Sequence, residues 1–373
     1  MDFDFTDDQH ALRDAVARWV ERSFAFERRH ALARAGGRTR DVYAELAGLG
    51  LTALAVPPDH GGMGFGPIEA MVVMEELGRG LVNAPYACAA LVVPTLLGPA
   101  PAALQAQWLP RIADGSALVV PAWQEAGARF RLDAVATTAV QQAGAWALTG
   151  RKSLAAAGDE ADAFLVPARM GPHADSPLGL FLVERGRCEV RGYPTADGAR
   201  AADVTLASAP AELVATDALP LLEQGRDVAI AAACAEGVGA MDALVALTVE
   251  YMNTRRQFGA TLASFQALRH RIADVKMQLE LGRSMSYFAS LRLGDAPAVR
   301  RRALSQAKVQ LGHSMRFVGQ QCIQLHGGIG VTDECSASHY FKRLTMLELV
   351  GGDTLHHLGE VSARMTDTAG VFA

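Results

Sequence analysis

Apolar positions at the start of the chain recur with a helical period. Leu12, Ala15, Val16, Trp19 and Val20 share one face behind a Thr6–Gln9 capping box, with Asp7 and Asp8 in the first turn. This pattern predicts a helix from about Thr6 to about Arg28. Val56, Pro57, Pro58 and the glycines of "DHGGMGFG" then form a loop, and "PIEAMVVMEELGRG" begins another helix behind Pro67. No charged residue occurs between Leu81 and Pro110, but Pro85, Pro94, Pro99 and Pro101 would break a membrane-spanning helix, so buried helices with proline-rich joints are expected there. Between residues 117 and 225 the texture changes to short apolar or alternating runs, "ALVVPAW", "VATTAV", "AWALTG", "DAFLVPAR", "LGLFLVE" and "ADVTLA", separated by Gly, Asp and Pro. From Asp227 onward strand signals disappear and long segments carry helical periodicity for several turns, as a bundle does. The expected fold is α+β: an N-terminal helical domain over 1–116, a barrel-like β domain over 117–225 and a helical bundle over 226–373, with no βαβ alternation that would build a parallel sheet.

Composition narrows the function. Half of the 373 residues are hydrophobic, enough for a substantial core, and the net charge of -5 with scattered basic residues excludes a phosphate-backbone partner. Arg300, Arg301 and Arg302 read as a solvated helix face. The opening "MDFDF" has neither a basic flank nor an apolar stretch behind it, so no secretory signal is expected and the chain is placed in the cytoplasm. Five cysteines, widely spaced and without a CxxC, suggest small core residues and neither a disulfide framework nor a metal site.

Two C-terminal motif groups are more specific. "YMNTRRQFG" followed by "SFQALRHRIADVKMQLE", and then "QLHGGIGVTDECSASHYFKRL", strongly resemble the acyl-CoA dehydrogenase family, as does "LAVPPDHGGMGFGPIEAMVVMEELGR" at 54–79. Within it, "GYPTADG", "CAEGVGAMDAL" and "HYFKRLTM" look closest to the small subunit of pimeloyl-CoA dehydrogenase, a branch associated with dicarboxylic acyl thioesters. The resemblance implies a helical domain, a β domain and a four-helix bundle, FAD held between subunits, α,β-dehydrogenation of an acyl-CoA thioester, and an electron-transfer acceptor. It places Arg255 on the FAD pyrophosphate, Phe258 by the adenine, Gln266 beside them, and Gln324, Gly327 and Gly328 against the cofactor. Taken singly, Arg255 also reads as a surface cation, Phe258 as core and the glycines as a helix C-cap; only their order and spacing together carry the likeness.

The β region departs from the family pattern. Where a Thr in a "TEP" segment and a Trp and Thr in a "K-x-W-I-T" segment usually face the flavin, this chain has "WQEAG" and "KSLAAAG". Gln124 can still donate a hydrogen bond there, whereas Leu154 and Ala156 offer only packing.

The resemblance also locates the proton-abstracting Glu, and both of its usual places lack one. Gly351 stands in the usual position and Ala229 in the alternative one on the first long bundle helix. Asp353, in the place of the usual Thr, is a cofactor contact, and it and Glu348 are the nearest substitute carboxylates; Asp227 matches a position near the substrate. Glu236 lies two turns from Ala229 and reads as a buried carboxylate with a partner, and His356 and His357 as helix or interface residues. Because the flavin site is shared, a chain without the base can complete the site of a homologous subunit that has one. The expectation is therefore a subunit of a homo- or hetero-oligomeric dehydrogenase, with a catalytically silent scaffold as the alternative.

Overall fold

The computed structural model describes residues 4–142, 144–173 and 175–365; the first three residues of "MDFDF" and 366–373 of the expected bundle lie outside them. Contacts divide the chain into two compact units, one drawn from Met1–His30, Pro67–Val82 and Ile230–Ala373, the other from Ala31–Gly66 and Asn83–Ala229.

The first unit is helical. Helix α1 (Asp7–Ser23) starts at the expected capping box, where the Thr6 side chain accepts from Gln9 N–H and Gln9 answers to Thr6 N–H. The single helix expected to reach Arg28 is two: Phe24 leaves the helical region (φ -132°) and stacks on Trp19 at 5.8 Å, and α2 (Phe26–Arg34) restarts beyond it. Helix α4 (Pro67–Arg79) begins behind its proline as predicted and crosses α7 (Ala218–Thr254) on glycine. A Cβ at Gly239 would sit 1.8 Å from the Glu75 carbonyl, so the backbones meet only because Gly239 has no side chain.

Helix α7 is long and apolar enough to cross a membrane, yet 78% of its most apolar window is buried. Its first turns pack into the core of the second unit through Leu222, Val228 and Ala229, its later ones into the bundle core through Ile230, Val238, Met241 and Leu244. The bundle continues with α8 (Gln266–Leu291), α9 (Pro297–His326), α10 (Ser336–Leu349) and α11 (Thr354–Ala363). Two expectations are corrected here. Arg300 and Arg301 are buried, because α9 packs Ala303, Leu304, Ala307 and Leu311 into the bundle and this covers the stems of the preceding turn; Arg300 turns its guanidinium to the Asp295 carbonyl at 3.3 Å. After Asp227 a short ladder does occur, β8 (Arg256–Gln257) against β9 (Ala260–Thr261), where the motif reverses direction through Gly259 at φ 80°.

The second unit holds α3 (Arg40–Gly48), a π-helical stretch over 87–92, α5 (Val93–Leu97), α6 (Ala102–Ala113) and the strands β1 (Val119–Pro121), β2 (Thr138–Gln142), β3 (Ala145–Ala156), β4 (Ala163–Arg169), β5 (Leu178–Glu184), β6 (Glu189–Pro194) and β7 (Arg200–Ala215). The pairings β4–β2, β2–β3, β3–β7, β7–β5 and β5–β4 close a ring, so the sheet is barrel-like, with β6 added outside on β7. It is not wholly antiparallel: β1 runs parallel to β4, and β2 touches β4 in the same sense. The long connection that parallel strands require is supplied by the β2–β3 hairpin, with no crossover helix. Strand β6 was not among the predicted runs, since its alternation of Val190 and Tyr193 with charged and small residues is weak.

Candidate functional site

In the first unit the family-like motif ends come together. Tyr251, one turn before the end of α7, stacks on His326 at the end of α9 with ring centroids 4.6 Å apart. His326 is held in turn by its own helix, Nδ1 lying 2.9 Å from the Cys322 carbonyl. This contact joins "YMNTRRQFG" to "QLHGG", and the sequence reading missed it although both rings lie inside the quoted motifs. Arg255, Phe258, Gln266, Gln324, Gly327 and Gly328 are all exposed in this unit. Phe258 is 94% exposed at φ 54°, on a two-residue hairpin whose only aromatic neighbour among the described residues is Phe265, edge-on at 6.3 Å. An added Cβ at Gly327 or Gly328 meets nothing within 4 Å, so the backbone there is open to close approach.

The segment "ELVGGDTLHH" closes α10 and opens α11. Glu348 is buried and accepts from Thr354 N–H at 2.9 Å and Thr354 Oγ1 at 2.6 Å. Buried Lys308 reaches the end of α10 and donates Nζ to the Leu347 and Glu348 carbonyls at 2.5 and 3.0 Å, acceptors of the last turn, the first of which also takes Val350 N–H at 3.2 Å. Burial pulls this lysine down to about 8, against the pull of Cys234, Glu348 and Asp353. Gly351 holds φ 69° and Gly352 φ 135°, and a Cβ at Gly352 would fall 2.5 Å from His356. The Asp353 carboxylate caps α11, accepting His356 N–H at 2.7 Å. His356 lies within α11, and His357, buried there, turns Nδ1 to Ser305 Oγ at 3.2 Å. Glu236 is buried in a two-point ion pair with Arg343, at 2.5 and 2.8 Å, the partner that its sequence position called for.

His30, Asp333 and His339 form the other chemically notable cluster, with ligand atoms within 4.8 Å of one another. Arg29 donates to His339 Nδ1, which leaves Nε2 to donate to the Asp333 carbonyl at 2.7 Å, and Lys342 lies 3.5 Å from the Asp333 carboxylate. With the ring committed and two cations adjacent, the cluster fastens the 327–335 turn and offers no cation site.

In the second unit, "WQEAG" and "KSLAAAG" lie side by side: Ser153 N–H donates to the Gln124 carbonyl at 2.8 Å. Beneath them is a buried ion pair, Lys152 Nζ to Glu125 Oε1 at 2.6 Å, and the same carboxylate accepts from Ala136 N–H, Thr137 N–H and Thr137 Oγ1. Burial alone would raise Glu125, but Lys152 and these donors outweigh it and hold the carboxyl below its usual range; burial brings Lys152 down to about 8. Leu154 and Ala156 are exposed, and Asp227 is fully buried. Glu125 and Lys152 had a sequence signal that went unused, as single charges beside strand-like apolar runs.

A helical region, a barrel-like β region and a helical bundle in this order make the fold of the acyl-CoA dehydrogenases. A variant of the Tcur3481-Tcur3483 steroid ACAD shares it at a TM-score of 0.85 with 27% identity, over 96% of this chain and 97% of that one. The chain belongs to the acyl-CoA dehydrogenase family: residues 6–116 match its N-terminal domain and 222–366 its C-terminal domain. Acyl-CoA dehydrogenase IpdE2 of Mycobacterium tuberculosis is 30% identical over 79% of this chain and 77% of its own length. Acryloyl-CoA reductase (NADH) of Anaerotignum propionicum is 25% identical over 96% and 94%.

Proposed function

We propose that the chain is an FAD-binding subunit of an acyl-CoA dehydrogenase, an oxidoreductase acting on a CH–CH bond, assembled with a homologous subunit that supplies the proton-abstracting Glu. The observation that carries this reading is Gly351, in a left-handed conformation that disfavours any side chain, where the family likeness puts that Glu. Ala229, in the alternative place, packs against an apolar core. The residues present suit a flavin dinucleotide. Arg255 offers a fork of donors to a pyrophosphate, exposed Phe258 a face for an adenine, and Gln266, Gln324 and the open backbone of Gly327 and Gly328 complete that end. The family likeness also assigns Gln124 and Asp353 to the cofactor and Asp227 to the substrate, and of these Asp227 is fully buried.

FAD, when bound, would supply the acceptor for the hydride leaving the substrate's β-carbon. This chain's part is to hold and orient, since of the two carboxylates nearest Gly351 in sequence Asp353 caps a helix and Glu348 is buried on Thr354. A relative named for two components, Tcur3481 and Tcur3483, supports a paired assembly. Co-expression with a homologue that carries the Glu, followed by an absorbance spectrum and an acyl-CoA dehydrogenation assay, tests the reading. A yellow complex active only with both chains is expected. Flavin binding and activity kept in full by the homologue without this chain would make it a scaffold.

A further inference from the structure

Glu125 and Lys152 have no part in the function just described, yet they form a buried pair between its two departing segments. Resting on that FAD-binding reading, we propose that the Glu125–Lys152 ion pair is a positioning device that sets the flavin-facing edge of the β unit. One carboxylate ties three pieces of chain: the 123–127 segment through Glu125 itself, the residues leading into β2 through Ala136 and Thr137, and β3 through Lys152.

The consequence appears in strand register. Lys152 pairs with Val204, and the next registered pair is Ala155 with Ala202. Three steps along β3 therefore match two along β7, which places one extra residue in β3, a bulge. Ser153 turns its N–H away from the ladder to the Gln124 carbonyl, and Leu154 is thrown outward at φ 57°, a backbone that L residues avoid, with 53% exposure. Bulges of this kind re-aim a side chain, and strain of this kind persists only where surrounding structure over-determines it. The fully buried Lys152 ammonium, anchored on Glu125 immediately before the bulge, over-determines it together with the hydrogen bonds of the Leu154 backbone to Tyr193 and Asp203. An apolar pair could fill the same space, but it would not fix which residue of β3 points inward, which is the use of a buried pair that best fits this position.

The test uses the full chain in its FAD-loaded assembly, with Glu125→Gln, Lys152→Met, the double substitution, and Leu154→Gly. FAD affinity, the visible flavin spectrum and the melting temperature of the apoprotein are read for each. Each single change at the pair is expected to weaken FAD binding by about tenfold or more and to shift the flavin band, which a staple remote from the ring would leave alone. Leu154→Gly is expected to raise the apoprotein melting temperature, by relieving the left-handed backbone, while lowering FAD affinity. Folded pair variants with wild-type affinity and spectrum would overturn the proposal. If the pair variants do not fold, Leu154→Gly decides: a raised melting temperature with unchanged FAD affinity also overturns it. Wild-type protein that takes up no FAD would instead remove the underlying functional reading, and that result needs no variant.

Discussion

Gly351→Ala and Gly351→Glu, made side by side, separate backbone from chemistry at the end of α10. Gly351 sits at φ 69°, and placing an L residue in that region costs about 1–2 kcal/mol. At about 2–4 °C per kcal/mol for domains of a few hundred residues, Gly351→Ala should lower the melting temperature by several degrees without changing activity. Gly351→Glu carries the same penalty and adds a carboxylate to a loop that Lys308 and Glu348 already hold in place. A positioned general base contributes about 10² to 10⁴ in rate, so the FAD-loaded homomer should gain acyl-CoA dehydrogenation of that order over wild type. Asp353→Asn is the companion control. Asn caps a helix about as well as Asp, so α11 and the melting temperature should be kept while the carboxylate is lost. The assay follows acceptor reduction and flavin bleaching with acyl-CoA for all four proteins. Robust wild-type activity that survives Asp353→Asn refutes the missing-base reasoning, and robust activity abolished by it moves the base to Asp353.

Three further outcomes follow from the geometry. Arg255→Ala should lower flavin occupancy, measured as bound FAD per chain, through loss of a charge-assisted phosphate contact; unchanged occupancy would place the pyrophosphate elsewhere. Lys308 and Lys152, each brought down to about 8 by burial, bind their protons less tightly folded than unfolded. They therefore cost stability below that pH, and the cost lifts as the pH rises from about 8 towards the ordinary lysine value, so unfolding free energy should rise over this window. Lys308→Met should flatten that rise in denaturant titrations at successive pH values, and an unaltered slope would count against it. Arg343→Ala strands Glu236 in the bundle and should destabilise by about 3–5 kcal/mol, whereas chemical denaturation with no loss would show the pair to be dispensable.

The helical ends and the β middle were legible because period and punctuation report which face of each element is buried, and this burial is what forms the elements. Two features escaped for a common reason. The break at Phe24 depends on stacking against Trp19, and the parallel β1–β4 pairing depends on where a hairpin carries the chain; neither leaves a local pattern. Arg300 and Arg301 read as solvated from their charge, since the α9 packing that buries their turn is set by residues further along the helix.

By itself the sequence determined the family, the order of helical and β regions, and the absence of Glu at 351 and 229, because each of these is a matter of residue type and spacing. Tertiary structure decided what those residues are free to do. It stacked Tyr251 on His326 to join two motifs, bound Asp353 into a helix cap, paired Glu236 with Arg343 across 107 residues, and buried Lys152 on Glu125 to throw Leu154 outward. Hydrogen-bond partners distant in sequence meet only when the fold has closed around them, and at that point a carboxylate becomes a cap, a staple or a base.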